Sequence, residues 1–91
     1  MINYQNGKIY TIKSFQTDKV YYGSTTQSLS KRLRKHKQHY TYYLKSNKGY
    51  MTSYEVLAFD DAYISLIEKY PCDSREELLA REHTLLKRIN V

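Results

Sequence analysis

Two short segments rich in β-branched and aromatic residues lie near the start of the chain, and a strongly basic segment follows them directly. Residues 8–13 and 20–22 have the composition of strands. The polar connection between them, residues 14–19, is short enough to join them as an antiparallel hairpin. One register of this hairpin places Tyr10 opposite Tyr21.

The basic segment, residues 29–43, is predicted to form a helix with Ser28 as its N-cap. Arg32 and His36 are four residues apart and therefore share one helix face. They are either part of a solvated basic face or functional groups. In the second case Arg32 would grip a phosphate through its planar fork, with His36 as a further phosphate donor or a proton carrier. A broken apolar stripe lies beside them, at Leu29, Leu33, Tyr40 and Leu44.

The second half of the chain predicts two more strands and a second long helix. Residues 53–59 and 62–70 have strand composition. After the break at Pro71, Ser74 and Glu77 have the spacing of a capping box that begins the last helix. The elements together predict an α+β fold with a small antiparallel sheet of three to four strands. Residues 1–91 are short enough to form a single domain.

Glu82 falls in the middle of the apolar face of the last helix, which is formed by Leu78, Leu79, Leu85, Leu86 and Ile89. A carboxylate in such a position has to be paired, protonated or bound to a cation, because an unpaired buried charge is costly. A buried ion pair with Arg32 or Arg34 is one alternative. A helix rolled so that Glu82 meets solvent is another.

The charge balance favours a polyanionic partner. Fifteen Lys and Arg residues against nine Asp and Glu give a net charge of +6. Such a charge balance indicates a partner such as nucleic acid or an anionic membrane surface. It is also found in a soluble basic domain that has no such partner. The chain has no apolar run long enough to cross a membrane and no signal-peptide pattern. A single cysteine, Cys72, excludes an internal disulfide and fits a reducing compartment, so we expect an intracellular protein without membrane contact.

Other catalytic patterns are missing from the sequence. The histidines and the cysteine lack zinc-site spacing. There is no glycine-rich phosphate loop and no nucleophile elbow. We therefore predict no organic cofactor.

Four motifs in order resemble the GIY-YIG nuclease family, and the resemblance covers nearly the whole chain. The first motif is Lys8-Ile9-Tyr10, which departs from the family at its first letter. The second is Tyr21-Tyr22-Gly23, with tyrosine at its middle position. The helix motif is carried by Leu29, Arg32, Leu33 and His36, and the late glutamate falls on Glu82.

The resemblance implies a small antiparallel sheet flanked by helices and a divalent-metal-dependent endonuclease that hydrolyses DNA phosphodiesters. It implies that Glu82 is the sole protein ligand of one Mg²⁺ or Mn²⁺ ion, and that Arg32 neutralises the transition state. One of Tyr10 and Tyr21 would take a proton from the attacking water; we favour Tyr10 as base and Tyr21 as positioner. His36 would assist at the phosphate or act in a proton relay.

The sequence departs from the family pattern at three further points. Ser24 stands where some members carry a lysine. Asn90 lies closer to Glu82 than the family's asparagine does, which raises the expectation that the chain is truncated after Val91. No recognition domain follows, although homing-type members rely on one. The compact form resembles the small stand-alone versions of the domain.

Contact with DNA is predicted for the basic helix and the loop after it. Phosphates would be neutralised by Lys31, Arg34, Lys35, Lys37, Lys45 and Lys48. Unpaired bases would stack on Tyr40, Tyr42, Tyr43 and Tyr50, unless these residues pack within the domain. Two alternatives to an active nuclease are a nucleic-acid-binding module that has lost catalysis and a nuclease fragment that needs a separate recognition domain.

Overall fold

A three-stranded antiparallel sheet forms the centre of the molecule. The structure is a computed structural model and describes the backbone of residues 2–89 and the side chains of residues 2–86. The strand order is β2-β1-β3, so the first strand is the central one. The strands are β1 (Lys8–Ser14), β2 (Thr17–Thr25) and β3 (Tyr63–Lys69). The predicted α+β class is confirmed. Asn90 and Val91, on which the expectation about truncation rested, lie outside the described residues.

Among the described residues, three α-helices accompany the sheet: α1 (Leu29–Ser46), α2 (Tyr54–Leu57) and α3 (Arg75–Ile89). The predicted N-cap of α1 is confirmed, because the Ser28 hydroxyl accepts a hydrogen bond from the N–H of Lys31. At α3 the Ser74 hydroxyl accepts from the N–H of Glu77, at 3.3 Å. The Glu77 carboxylate accepts from the N–H of Asp73, one residue before the position that a capping box requires.

The strand predicted over residues 53–59 is wrong. This segment contains the short helix α2, whose residues Tyr54, Val56 and Leu57 are all buried. In a strand, Val56 and Leu57 would point to opposite sides, whereas a helical turn brings both into the core. Burial therefore outweighs the strand propensity of these side chains.

The two faces of the sheet carry separate cores because successive residues of β1 point to opposite sides. Tyr10 and Ile12 point to the face where α1 and α2 pack, and Ile9 points to the other face, where it meets Leu78 of α3 and Cys72. All three β1 residues are fully buried. Within the described residues, no helix is long and apolar enough to cross a membrane.

The hairpin register differs from the one that would place Tyr10 opposite Tyr21. Tyr10 pairs with Gly23, and Tyr21 pairs with Ile12, so all four lie on one face. The Tyr10 ring occupies the space above Gly23. A Cβ added to Gly23 would lie 2.5 Å from the Tyr10 hydroxyl oxygen and 2.6 Å from Cζ. The second motif therefore needs glycine here because of the close approach of Tyr10.

Candidate active site

The Tyr10 hydroxyl is the centre of a buried polar cluster under α1. It lies 3.2 Å from Nε of Arg32 and 2.8 Å from Nε2 of His36. Tyr10 projects from the central strand, and the other two side chains project from successive turns of α1. The prediction that Arg32 and His36 share a helix face is confirmed, and both reach the same phenol oxygen.

The protonation of this cluster follows from its burial. Burial raises the pKa of Tyr10 to about 12, opposed by the hydrogen bond and charge of Arg32. Burial, together with the charge of Arg32, lowers the pKa of His36 to about 4. His36 is therefore neutral at pH 7. Because Arg32 can only donate, the Tyr10 oxygen accepts from Arg32. In the His36 tautomer that carries its proton on Nδ1, the Tyr10 O–H donates to Nε2.

We expect the buried neutral His36 to make the fold sensitive to mild acid. Its pKa lies below the ordinary value of 6.5, so the unfolded chain binds more protons as the pH falls from 7 to 5, and the free energy of unfolding falls with it. The expected loss over this interval is about 2 kcal/mol. The His36→Gln variant, which does not titrate, should show a flatter dependence in urea unfolding at the two pH values. An equal decrease in the free energy of unfolding between pH 7 and pH 5 for both proteins would contradict a buried neutral His36.

Tyr21 lies beside this cluster and is partly buried. Its ring centroid is 5.3 Å from that of His36 and 6.4 Å from that of Tyr10. Burial raises the pKa of Tyr21, and the charge of Glu82 raises it further. Tyr21 makes no hydrogen bond with the described residues, so its hydroxyl is available to a ligand.

An open cleft of about 460 Å³ brings the predicted site residues together. Tyr10, Tyr21 and Arg32 line it from the sheet and α1, and Glu82 lines it from α3. His36 does not line the cleft; it lies behind Tyr10 and is 1% exposed. Ser24 and Thr25, at the end of β2, also line the cleft. Sequence reasoning missed Thr25 and the loop residues Thr26 and Gln27, which line it as well.

Glu82 is partly buried and has no ion pair with any residue in the described part of the chain. The alternative of a buried ion pair with Arg32 or Arg34 is therefore wrong. The charge of Glu82 instead contributes to the raised pKa of both Tyr10 and Tyr21. These effects place a negative charge in the cleft close to the two phenols.

The residue before Glu82 helps to hold α3 against the sheet. Arg81 donates two hydrogen bonds to the carboxylate of Glu68 on β3, and its guanidinium lies 5.7 Å from the ring centroid of Tyr70. A two-pronged contact of this kind is directional. It fixes the rotation of the helix, and so it directs Glu82 toward the cleft.

The residues of the cleft fit a divalent ion held by one carboxylate. Among the described residues, no three His, Cys, Asp or Glu side chains form a group that could enclose an ion. Magnesium commonly binds proteins through one or two carboxylates and keeps several waters. Glu82, which lines an open cleft and forms no ion pair with a described residue, meets that requirement.

The predicted DNA-contacting cations divide into two sets. Lys31, Arg34 and Lys35 line a smaller groove beside the cleft. Exposed side chains that line neither the cleft nor this groove form the second set, at Lys37, Lys45 and Lys48.

The tyrosines proposed to stack on bases divide as well. Tyr40 and Tyr43 pack on the buried Tyr54, with ring centroids 5.3 and 4.9 Å away, as expected for core residues. Tyr50 meets the same ring edge-on but stays 57% exposed, and Tyr42 is 64% exposed. Of the four tyrosines, only Tyr42 and Tyr50 are exposed enough for a base to stack on them.

Comparison with known families identifies the class of this domain. The GIY-YIG catalytic domain matches residues 6–90, nearly the whole chain. The chain therefore belongs to the GIY-YIG family, a family of nucleases, and the resemblance noted from its motifs is confirmed. Neither the curated proteins nor the solved structures compared with the chain gave a match.

Proposed function

We propose that this protein is a divalent-metal-dependent endonuclease that hydrolyses DNA phosphodiester bonds. One observation carries the proposal. A buried phenol, Tyr10, is hydrogen-bonded to both a guanidinium and a neutral imidazole on one side of an open cleft. On the other side lies the carboxylate of Glu82, which has no ion pair with a described residue. Each of these groups has a distinct task in phosphodiester hydrolysis.

Arg32 is suited to hold the scissile phosphate. Its Nε donates to Tyr10, while its terminal nitrogens make no hydrogen bond or ion pair within the described part of the chain. A guanidinium presents several donors in a rigid plane, so it can keep the bond to Tyr10 and still bind phosphate oxygens. Its charge stabilises the additional negative charge of the transition state.

Tyr10 and His36 provide a path for the proton of the attacking water. The water proton passes to the Tyr10 oxygen while the Tyr10 proton passes to Nε2 of His36, 2.8 Å away. The water oxygen forms a bond to phosphorus, the bond from phosphorus to the 3′ oxygen breaks, and the departing 3′ oxygen takes a proton from a second water of the open cleft. This relay avoids a free phenolate, which a pKa of about 12 disfavours at neutral pH. It requires the bound phosphate to offset the charge of Arg32, which lowers the pKa of His36 and opposes its protonation.

Access to the Tyr10 oxygen requires a movement of the side chains around it, because Tyr10 has no exposed surface. Arg32 is partly buried, lines the cleft and donates to that oxygen. A small shift of Arg32 that keeps its Nε bond to Tyr10 while its terminal nitrogens bind the phosphate would open the phenol to water. Tyr21, whose hydroxyl is unbonded, positions the water or the phosphate from the same wall.

Glu82 would hold the divalent ion. When bound, the ion supplies positive charge at the scissile phosphate and at the leaving oxygen. Glu82 is the one carboxylate among the described residues that line the cleft, whose other charged residues are Arg32, Lys35 and Arg75, so an ion would be held at Glu82 itself.

The Tyr10→Phe change is expected to lower the nicking rate by about 100-fold, the usual contribution of a proton-transfer group. Phenylalanine removes only the hydroxyl and keeps the ring that fills the space above Gly23. The measurement is the single-turnover nicking rate at saturating protein. Tyr21→Phe is the matched comparison and should cost less, since a positioning hydroxyl carries no proton. A larger decrease in the nicking rate for Tyr21→Phe than for Tyr10→Phe would mean that Tyr21 transfers the proton and Tyr10 is the positioning residue.

The proposal as a whole is tested by incubating the purified chain with supercoiled plasmid in Mg²⁺, in Mn²⁺ or in EDTA. We expect nicked circles with either metal and none in EDTA. If the chain binds the plasmid but nicks it with neither ion, it is a binding module and the proposed activity is refuted.

A further inference from the structure

A second, smaller groove adjoins the cleft on the outer side of α1. It measures about 260 Å³ and is lined by Gln27, Lys31, Arg34, Lys35 and Gln38. Gln27 and Lys35 line the cleft as well. The two cavities are therefore neighbours that share part of their walls, and a chain-like ligand in the cleft can continue into the groove.

The lining of the groove suits an anion. Lys31, Arg34 and Lys35 contribute three cations and the two glutamines contribute amides, with no carboxylate among them. None of the three cations forms an ion pair with a described residue. Their charges therefore stabilise no internal contact and remain available to a ligand that carries negative charge.

Gln27 provides an independent indication that the groove is built for a ligand. Its backbone is fixed on both sides: its N–H donates to the Thr25 hydroxyl, at 3.0 Å, and its carbonyl accepts from Nζ of Lys8, at 2.9 Å. Its side-chain oxygen, by contrast, is buried without a partner. A buried amide without a hydrogen bond is destabilising. A phosphate cannot satisfy this oxygen, because both groups accept hydrogen bonds. When the amide rotates by 180°, its NH2 group takes the position of the oxygen and can donate to a bound phosphate.

We infer that this groove binds a phosphate of the cut DNA strand next to the scissile phosphate. The inference rests on the proposed nuclease function, and it adds the path of the strand. The strand leaves the cleft past Gln27 and Lys35 and crosses the first half of α1. Lys37, Lys45 and Lys48 line neither cavity and lie off this path.

The test compares pairs of charge-removing variants in DNA binding without metal. Lys31→Gln with Arg34→Gln removes two groove cations. Lys13→Gln with Lys69→Gln removes two exposed cations of the sheet and is the matched control. Fluorescence anisotropy with a duplex oligonucleotide at several salt concentrations gives the affinity and its salt dependence. Circular dichroism confirms that each variant folds.

We expect the groove pair to weaken binding at least tenfold, and to reduce the salt slope by about two because each lost phosphate contact removes close to one unit. The control pair should change the slope little. A third pair, Lys37→Gln with Lys45→Gln, tests for a diffuse basic face. Equal losses for the groove and this third pair, or no loss for the groove pair, would overturn the inference.

These outcomes are separate from those of the proposed activity, because binding is measured without cleavage. If the wild type fails to nick plasmid but the groove pair alone loses affinity and salt slope, the groove binds a DNA phosphate, but the nuclease proposal fails and with it the position next to a scissile phosphate. If the wild type nicks with metal and the groove pair binds like the wild type, the nuclease proposal stands and the subsite fails.

Discussion

The Glu82→Gln variant is expected to lose metal-dependent nicking, with a rate at least about 1,000-fold below that of the wild type. Glutamine keeps the size of the side chain and its place in the cleft but removes the negative charge that attracts a divalent ion. Because Glu82 has no ion pair with a described residue, removing its charge leaves no cation unpaired, so the fold should be retained. Single-turnover nicking in Mg²⁺ measures the loss.

Glu76→Gln is the matched control for this prediction. Glu76 lies on the same helix, is exposed and lines none of the described cavities. The same change there should leave the nicking rate and its Mg²⁺ dependence at the wild-type values. A comparable loss in both variants would mean that the general charge of α3, and not a ligand at Glu82, governs activity.

The Arg32→Lys change has the second largest expected effect, a decrease of about 1,000-fold in the single-turnover rate. Lysine keeps the charge but offers a single ammonium group, which cannot bond to Tyr10 and also grip phosphate oxygens as a planar guanidinium can. The loss should therefore lie in the rate at saturating DNA more than in the affinity. A variant with wild-type rate and weakened binding would show that Arg32 provides charge alone.

Chemical rescue gives a control for Arg32 that is independent of folding. Added guanidinium should restore part of the activity of Arg32→Ala, because the cleft next to Tyr10 then has room for a free guanidinium ion. Ammonium ions at the same ionic strength should not. Equal rescue by both ions would contradict the requirement for a planar donor group.

The local part of the site could be predicted from the sequence. The i, i+4 spacing of Arg32 and His36 and the strand composition around Tyr10 are enough to place these side chains on regular elements, and the structure brings them together at one phenol oxygen. The position of Glu82 in the apolar stripe of α3 likewise predicted a carboxylate that faces inward. These inferences depend on the spacing of residues within one element, which can be read from the sequence alone.

Relations between elements were harder to predict. The hairpin register depends on the turn and on the irregularity of β1 between Ile12 and Ser14, which composition does not reveal. Residues 53–59 have strand propensity but lie in a short helix, because only a helical turn buries Val56 and Leu57 together. In both cases tertiary packing decided between local conformations of similar propensity.

The sequence analysis did not predict Gln27 as a site residue, for a related reason. It stands in a polar loop directly before the N-cap of α1, and nothing in its own sequence neighbourhood distinguishes it. Its importance arises from the position of the loop between two cavities and from its unpaired amide oxygen. Only the packed structure shows either feature.

The most direct test of the central claim is plasmid nicking by the wild type and the Glu82→Gln variant, purified identically, as Mg²⁺ is added, chelated with EDTA and added again. We predict that the wild type nicks only while free metal is present, that nicking resumes when metal is restored, and that the variant binds the plasmid equally well without cutting it. Nicking that persists in EDTA, or equal nicking by both proteins, would contradict a hydrolytic site in which Glu82 holds the ion.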